Sequence, residues 1–388
     1  MKKNTFKAID RSHSYALKYE NNIQKFGTND LLPLWVADMD IAAPKCVQKT
    51  LIKRAKHPVY GYTVYPERYF KAIEKWMKDR FEWKIKKEWI IPCYGVVPSI
   101  NAAIEAYTKK GDGIIIQSPV YPRFAVSVQE RKRKILDNTL LYENGKYKID
   151  FADFEKKVKK AKLFLLCSPH NPIGRVWKRK ELEKIIKICI ENDVLIVSDE
   201  IHADIVYKKI QHSMGSFQQI RQQCIVLNAP SKTFSITGLN TSYAIIPNEK
   251  LRKKYIHTQN RVGITKGTPF GIEALISVYE KGSRWLNALN VHLEKNVKYV
   301  KTFLEEQNLP IHAVKTEGTF LVWLDCRAMN MSKEELVRFF VKDAKLGLND
   351  GLNFGDAGEG FMRLNIGTSR EILEIAMHRI LNAYKEIN

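Results

Sequence analysis

The residues best suited to covalent chemistry are Lys232, in Ser231-Lys232-Thr233-Phe234-Ser235, and Asp199, which opens Asp199-Glu200-Ile201-His202 33 positions upstream. A lysine amine attacks a carbonyl when it is held beside it, and a carboxylate can keep a cofactor's pyridine nitrogen protonated so that the ring accepts electrons. Neither motif says this alone. The chain has 64 Lys and Arg residues, and a Ser-Lys pair is ordinarily solvated surface. Context adds the rest: Asp199 follows the apolar run Val194-Leu195-Ile196-Val197, which reads as a buried parallel strand. Open α/β sheets bind ligands at the C-terminal ends of such strands. A helix N-cap aspartate would look similar, but the two motifs together suggest a pyridoxal 5′-phosphate enzyme.

Such residues need a scaffold, and the sequence supplies one. Between about 46 and 280, helical stretches alternate with short apolar strands at Gly113–Gln117, Leu163–Cys167, Val194–Val197, Cys224–Leu227 and Tyr243–Ile246. That alternation predicts an α/β large domain, its mostly parallel sheet covered by helices on both faces. From Trp285 a long helix carries Leu286, Leu289, Leu293, Val297, Val300 and Leu304 as one apolar stripe. Strands at Phe320–Leu324 and Phe361–Leu364 and helices around 332–342 and 370–385 then form a smaller α+β domain. The expected division is an N-terminal arm over 1–45 contributing to the small domain, a large cofactor-binding domain over 46–284 and a small C-terminal domain over 285–388. No repeat or low-complexity linker interrupts it.

Two further features follow from residue type. Gly95-Val96-Val97-Pro98-Ser99 reads as a helix start, where free N–H groups receive a phosphate, glycine permits close approach and proline is tolerated. Arg363 lies mid-strand between apolar neighbours; a buried guanidinium needs an anion, and the substrate α-carboxylate is the expected one, with a structural salt bridge as the alternative.

The chain resembles the fold-type I pyridoxal phosphate enzymes of the class I/II aminotransferase superfamily, and within it the cystathionine β-lyase (C–S lyase) branch. The resemblance rests on Pro33-Leu34-Trp35-Val36-Ala37-Asp38-Met39-Asp40, Asp199-Glu200-Ile201-His202, Ser231-Lys232-Thr233-Phe234, Leu348-Asn349-Asp350-Gly351 and Phe361-Met362-Arg363-Leu364-Asn365. It implies that Asn171, in an Asn-Pro turn, donates to the cofactor's phenolic oxygen, with His202 near the same atom. Tyr121 would stack on the pyridine ring, and Gly95, Val96, Val97 and Ser231 would hold the phosphate. Tyr60 would cross a homodimer interface to the partner subunit's phosphate, giving shared active sites; Tyr62 beside it could equally be core. Three positions depart from the wider pattern. Ser235-Ile236 replaces an Asn, Ser369 stands where a proline often precedes Arg370, and Asn240 replaces a phosphate-binding arginine, as it does in the C–S lyase branch.

Composition narrows the classes. The formal charge of +22 raises nucleic acid as a partner, but the lysines are spread through helical stretches such as Lys156–Lys160 without zinc-finger spacing or an aromatic RNA-binding signature. A solvated basic surface is the reading, with no nucleic acid partner. Six cysteines, never closer than 22 positions, offer no metal spacing and read as free thiols of a reducing compartment. No apolar run approaches 18 residues, and none follows Met1–Lys7, so a cytoplasmic location away from the membrane is expected.

The expected function is a carbon–sulfur β-lyase acting on a small sulfur amino acid such as cystathionine or cysteine, with Lys232 as nucleophile and general base. An aminotransferase using nearly the same residues is the alternative. A pyridoxal-phosphate-binding regulator is the reading from another class, and the chain adds no DNA-binding domain that would favour it.

Overall fold

Apolar residues at alternate positions give the main sheet two buried faces, as seen in the computed structural model, which describes residues 6–261, 263 and 267–387. Ile114, Ile116, Leu163, Leu165, Leu195, Val197, Ile225 and Leu227 enter one core. Ile115, Phe164, Leu166, Ile196 and Val226, interleaved with them, enter the other. This two-residue period buried on both sides requires helices above and below. They are there: Val96–Tyr107, Arg123–Glu130 and Glu249–Arg261 pack on the first face, while Glu67–Phe81, Arg179–Glu191 and Pro269–Lys281 belong to the second core.

The sheet has seven strands in the spatial order Ile90–Cys93, Ser242–Ile245, Cys224–Asn228, Leu195–Asp199, Ala161–Cys167, Gly113–Ile116 and Lys134–Asp137. All run in one direction except Ser242–Ile245, which is antiparallel to both neighbours. Two strands, Ile90–Cys93 and Lys134–Asp137, form the edges, and no long apolar run marks either of them in the sequence. Cys93, Ile116, Cys167, Asp199 and Asn228 therefore end along one rim, and Ser242 begins there.

The long helix runs Ser283–Glu306, two residues earlier than its first large apolar residue suggests. Beyond it, Leu321–Asp325 and Phe361–Asn365 pair antiparallel at the centre of a four-stranded sheet. The helix at 332–342 is interrupted: Lys333–Arg338 is α-helical and Phe339–Asp343 continues as a π-turn. Arg370–Ile387 closes the chain.

The first segment is not free. Leu32–Pro33 pairs in parallel with Leu346–Gly347, and Ala8 bridges Ile41. These contacts support the division we propose, with arm 1–45 joined to small domain 285–388 and large domain 46–284 between them; the first five residues of that arm lie outside the described residues. No helix among the described residues is long and apolar enough to cross a membrane.

Candidate active site

At the sheet rim lies a cavity of about 470 Å³ lined by Gly95, Val96, Val97, Tyr121, Asn171, Asp199, His202, Ser231, Lys232 and Arg363. Every candidate from the sequence meets there except Tyr60. That residue is 57% exposed, donates its hydroxyl to the Ala55 carbonyl at 2.8 Å and does not line the cavity of its own chain.

Asp199 is the last residue of its strand. One carboxylate oxygen accepts from the Ile201 N–H at 3.1 Å; this is a turn contact, not a helix cap. Burial raises its pKa to about 6, opposed by that hydrogen bond and by the Lys232 charge. Lys232 sits in the turn after strand Cys224–Asn228, and its Nζ donates to the Ala37 carbonyl at 2.6 Å. Burial lowers its pKa to about 8, with the Asp38 and Asp199 charges opposing and Arg363 assisting. A larger share of the amine is thus neutral near physiological pH than in a solvated lysine.

Arg363 is 5% exposed. It donates to Asn171 Oδ1 at 3.1 Å and to the Trp35 carbonyl at 2.8 Å, and its Nε has no partner. No carboxylate pairs with it among the described residues, so the salt-bridge alternative has no support. Burial lowers its pKa to about 10, leaving a charged, desolvated guanidinium facing the cavity. Phe354 packs against it, 4.8 Å from the ring centre.

His202 is buried, its Nδ1 without a hydrogen-bond partner, its ring edge-on to Phe320. Burial first, then the Lys232 and Arg363 charges, lower its pKa to about 3, so the ring is neutral. At the other end, helix Val96–Tyr107 starts at Gly95 with no side-chain cap, leaving the first-turn N–H groups of Val96 and Val97 free for an anion. A Cβ at Gly95 would make ordinary van der Waals contact with Pro98, at 3.4 Å, so packing within the chain does not itself demand glycine there. Ser231 borders this end, as does Ser242, whose buried hydroxyl is unpartnered.

The sequence reading missed what holds these groups. The Pro33–Asp40 segment presents a row of carbonyls: Trp35 accepts from Arg363 and Asn349, Ala37 from Lys232, and Val36 and Asp38 from Asn365. Ion pairs anchor the row, Arg11 to Asp38 at 2.7 Å and the buried Lys18 to Asp40 at 2.7 Å. Asp204 accepts from Trp76 at 3.2 Å and from Thr233 at 3.2 Å, tying the turn after Asp199 to the turn of Lys232. Backbone acceptors carry no side-chain signal, which is why a motif search passes over them.

The chain matches the family model of aminotransferases class I and II over residues 23–380. It is 38% identical to cystathionine beta-lyase PatB of Bacillus subtilis (strain 168), covering 96% of this chain and 98% of that one. Cystalysin of Treponema denticola, solved with pyridoxal 5′-phosphate, superposes with a TM-score of 0.96 at 36% identity over the full length of both chains. The PLP-bound C–S lyase of Staphylococcus hominis, complexed with L-cycloserine, gives a TM-score of 0.92 at 31% identity, covering 99% of this chain and 98% of that one.

Proposed function

We infer, from the premise that this chain belongs to the class I and II aminotransferase family, that it is a pyridoxal 5′-phosphate-dependent carbon–sulfur β-lyase of the cystathionine β-lyase and cysteine desulfhydrase type. From a sulfur amino acid and water it yields a thiol or sulfide, pyruvate and ammonia. The observation that carries this reading is the convergence of Lys232, Asp199 and Arg363 on one cavity that also holds an uncapped helix start.

The residues present fit the cofactor. Asp199 offers a buried carboxylate with one oxygen left for a cation, and the Gly95–Val97 N–H groups and the Ser231 hydroxyl suit a phosphate. The protonated pyridine ring, when bound, accepts the electron pair left at the substrate's Cα. In our assignment Asp199 holds the ring nitrogen's proton. Asn171, whose Oδ1 is engaged by Arg363, donates its Nδ2 to the phenolic oxygen. Neutral His202 lies near the same edge, and Tyr121 covers the ring face. Arg363 binds the substrate α-carboxylate through N–H groups left free by the described residues, its Nε among them, while the Trp35 carbonyl holds it in place. Lys232 would hold the cofactor through its Nζ, and with substrate bound the same Nζ, neutral, would accept the Cα proton as the β-thiolate leaves.

The same reading includes a homodimer in which Tyr60 reaches the partner subunit's phosphate. Its support is an exposed apolar segment, with Val59 at 64%, Tyr60 at 57% and Val64 at 74%. We also propose a cytoplasmic location, supported by six free cysteines.

The test is pyruvate release from S-substituted cysteines by purified holoenzyme without any keto acid. The expected result is pyruvate and ammonia in equal amounts. A 3-thio-substituted pyruvate with no free thiol or pyruvate, formed only when a keto acid is supplied and alongside that acid's amino acid, would make the protein a transaminase.

A further inference from the structure

We propose that the enzyme selects cysteine derivatives whose sulfur substituent is uncharged, with Leu17 as a specificity-determining residue at the cavity mouth. The proposal rests on the lyase reading above and concerns which substrates that site takes.

It follows from the cavity's charges. Among the described residues, the ionised side chains of the lining are Asp199, Lys232 and Arg363, since the lining histidine is neutral. All three are already committed, to the ring nitrogen, the reacting carbon and the α-carboxylate respectively. The substrate's far end is left with Leu17, Trp35, Pro122 and Phe354. Two amides, Asn349 and Asn353, also line the wall; each donates one N–H to backbone, at the Trp35 carbonyl (2.5 Å) and the Asp350 carbonyl (3.0 Å), and being neutral neither can supply an ion pair.

Charges near the mouth are engaged or turned outward. Asp38 is paired with Arg11, and Lys18 with Asp40. Arg123 is exposed and outside the lining, although its charge reaches Tyr121. Leu17, on the short helix Leu17–Glu20, is 58% exposed and forms an apolar lip. A substituent ending in an ammonium and a carboxylate, as in cystathionine, would lose water there without gaining an ion pair. An alkyl or aryl group would bury apolar surface against the same wall.

The experiment has two arms on the holoenzyme. In the first, kcat/KM is measured for S-butylcysteine, S-benzylcysteine and cystathionine. In the second, cofactor absorbance reports the Kd of norleucine, 2-aminoadipate and lysine, similar-length amino acids with neutral, anionic and cationic ends and no sulfur to expel. The neutral member should lead by about tenfold or more in both arms. Leu17→Arg should narrow the cystathionine deficit by about threefold or more. Cystathionine matching the neutral substrates, or 2-aminoadipate binding as tightly as norleucine because the second subunit supplies a cation, would overturn the proposal. An unchanged ratio in Leu17→Arg would overturn the assignment of Leu17. If no sulfur amino acid released pyruvate, the lyase reading would fail, and the ranking of the three inert amino acids would still decide the charge question.

Discussion

At the scale of single residues, the site stores electrostatic strain that its ligands relieve. Asp199 has a folded-state pKa of about 6 against a free value of 3.8. A carboxyl group raised in this way favours the folded apoprotein while it is protonated. That advantage disappears as pH rises from about 4 to about 6. Above this window the ionised carboxylate opposes folding by roughly 3 kcal/mol at most. Asp199→Asn should therefore make the apoprotein more stable than wild type at pH 7.5, with the difference closing toward pH 4, as urea denaturation of the two would measure. In the holoenzyme the same change should lower kcat by about 10²- to 10³-fold, since the ring nitrogen loses its anion. Arg363 is the complementary case. Its hydrogen-bond partners are one backbone carbonyl and one side-chain amide, so it awaits a carboxylate. Arg363→Leu should raise KM for the amino acid by about ten- to a hundredfold, roughly 1.5–3 kcal/mol, while changing cofactor affinity far less. Steady-state kinetics alongside a cofactor titration would separate the two, and an unchanged KM would make Arg363 structural.

At the scale of elements, the strand ends and the Pro33–Asp40 segment divide the work. Strand ends bring the side chains, and the segment's carbonyls aim them. Asn365 is the hinge between the two, 1% exposed, with its Nδ2 donating at 2.6 Å to both Val36 and Asp38 and its Oδ1 accepting from Gly367 at 2.7 Å. Asn365→Leu leaves buried carbonyls unpaired, at about 1–3 kcal/mol of stability. Because the freed segment also holds Lys232 and Arg363, kcat should fall and KM rise together, and Asn365→Asp should not rescue either, since a carboxylate has no N–H to give the two carbonyls. The sequence revealed the strand ends because an apolar run followed by a polar residue has a physical signature, as Val194 to Asp199 does. It could not reveal that Ser242–Ile245 runs backwards, since four buried residues read the same in either direction. Strand Lys134–Asp137 was hidden by charged ends at a sheet edge. The carbonyl row was hidden because every residue has a carbonyl, and only the fold decides which ones face a lysine.

At the scale of the whole molecule, one cavity holds every candidate except Tyr60, and this exception makes the dimer testable. Tyr60→Phe and Lys232→Ala homodimers should each lose activity, the second almost entirely. A mixed dimer would contain one site damaged at both positions and one intact, as two-fold symmetry requires. Refolding the two variants together should therefore restore activity above the sum of the parents. Mixed dimers demonstrated by mass without that gain would mean that Tyr60 acts within its own subunit or not at all.

The carbonyl row also bears on how the site comes into being during synthesis. The cofactor end draws on residues 95 to 242, but the Trp35 carbonyl must wait for Arg363, 328 positions later in the chain. A growing chain emerges from its N-terminus, and closing so long a loop is the slow kind of contact. The pocket for the cofactor can thus take shape while the grip on the amino acid is still unmade, so the enzyme gains its capacity to hold a coenzyme before its capacity to choose a substrate.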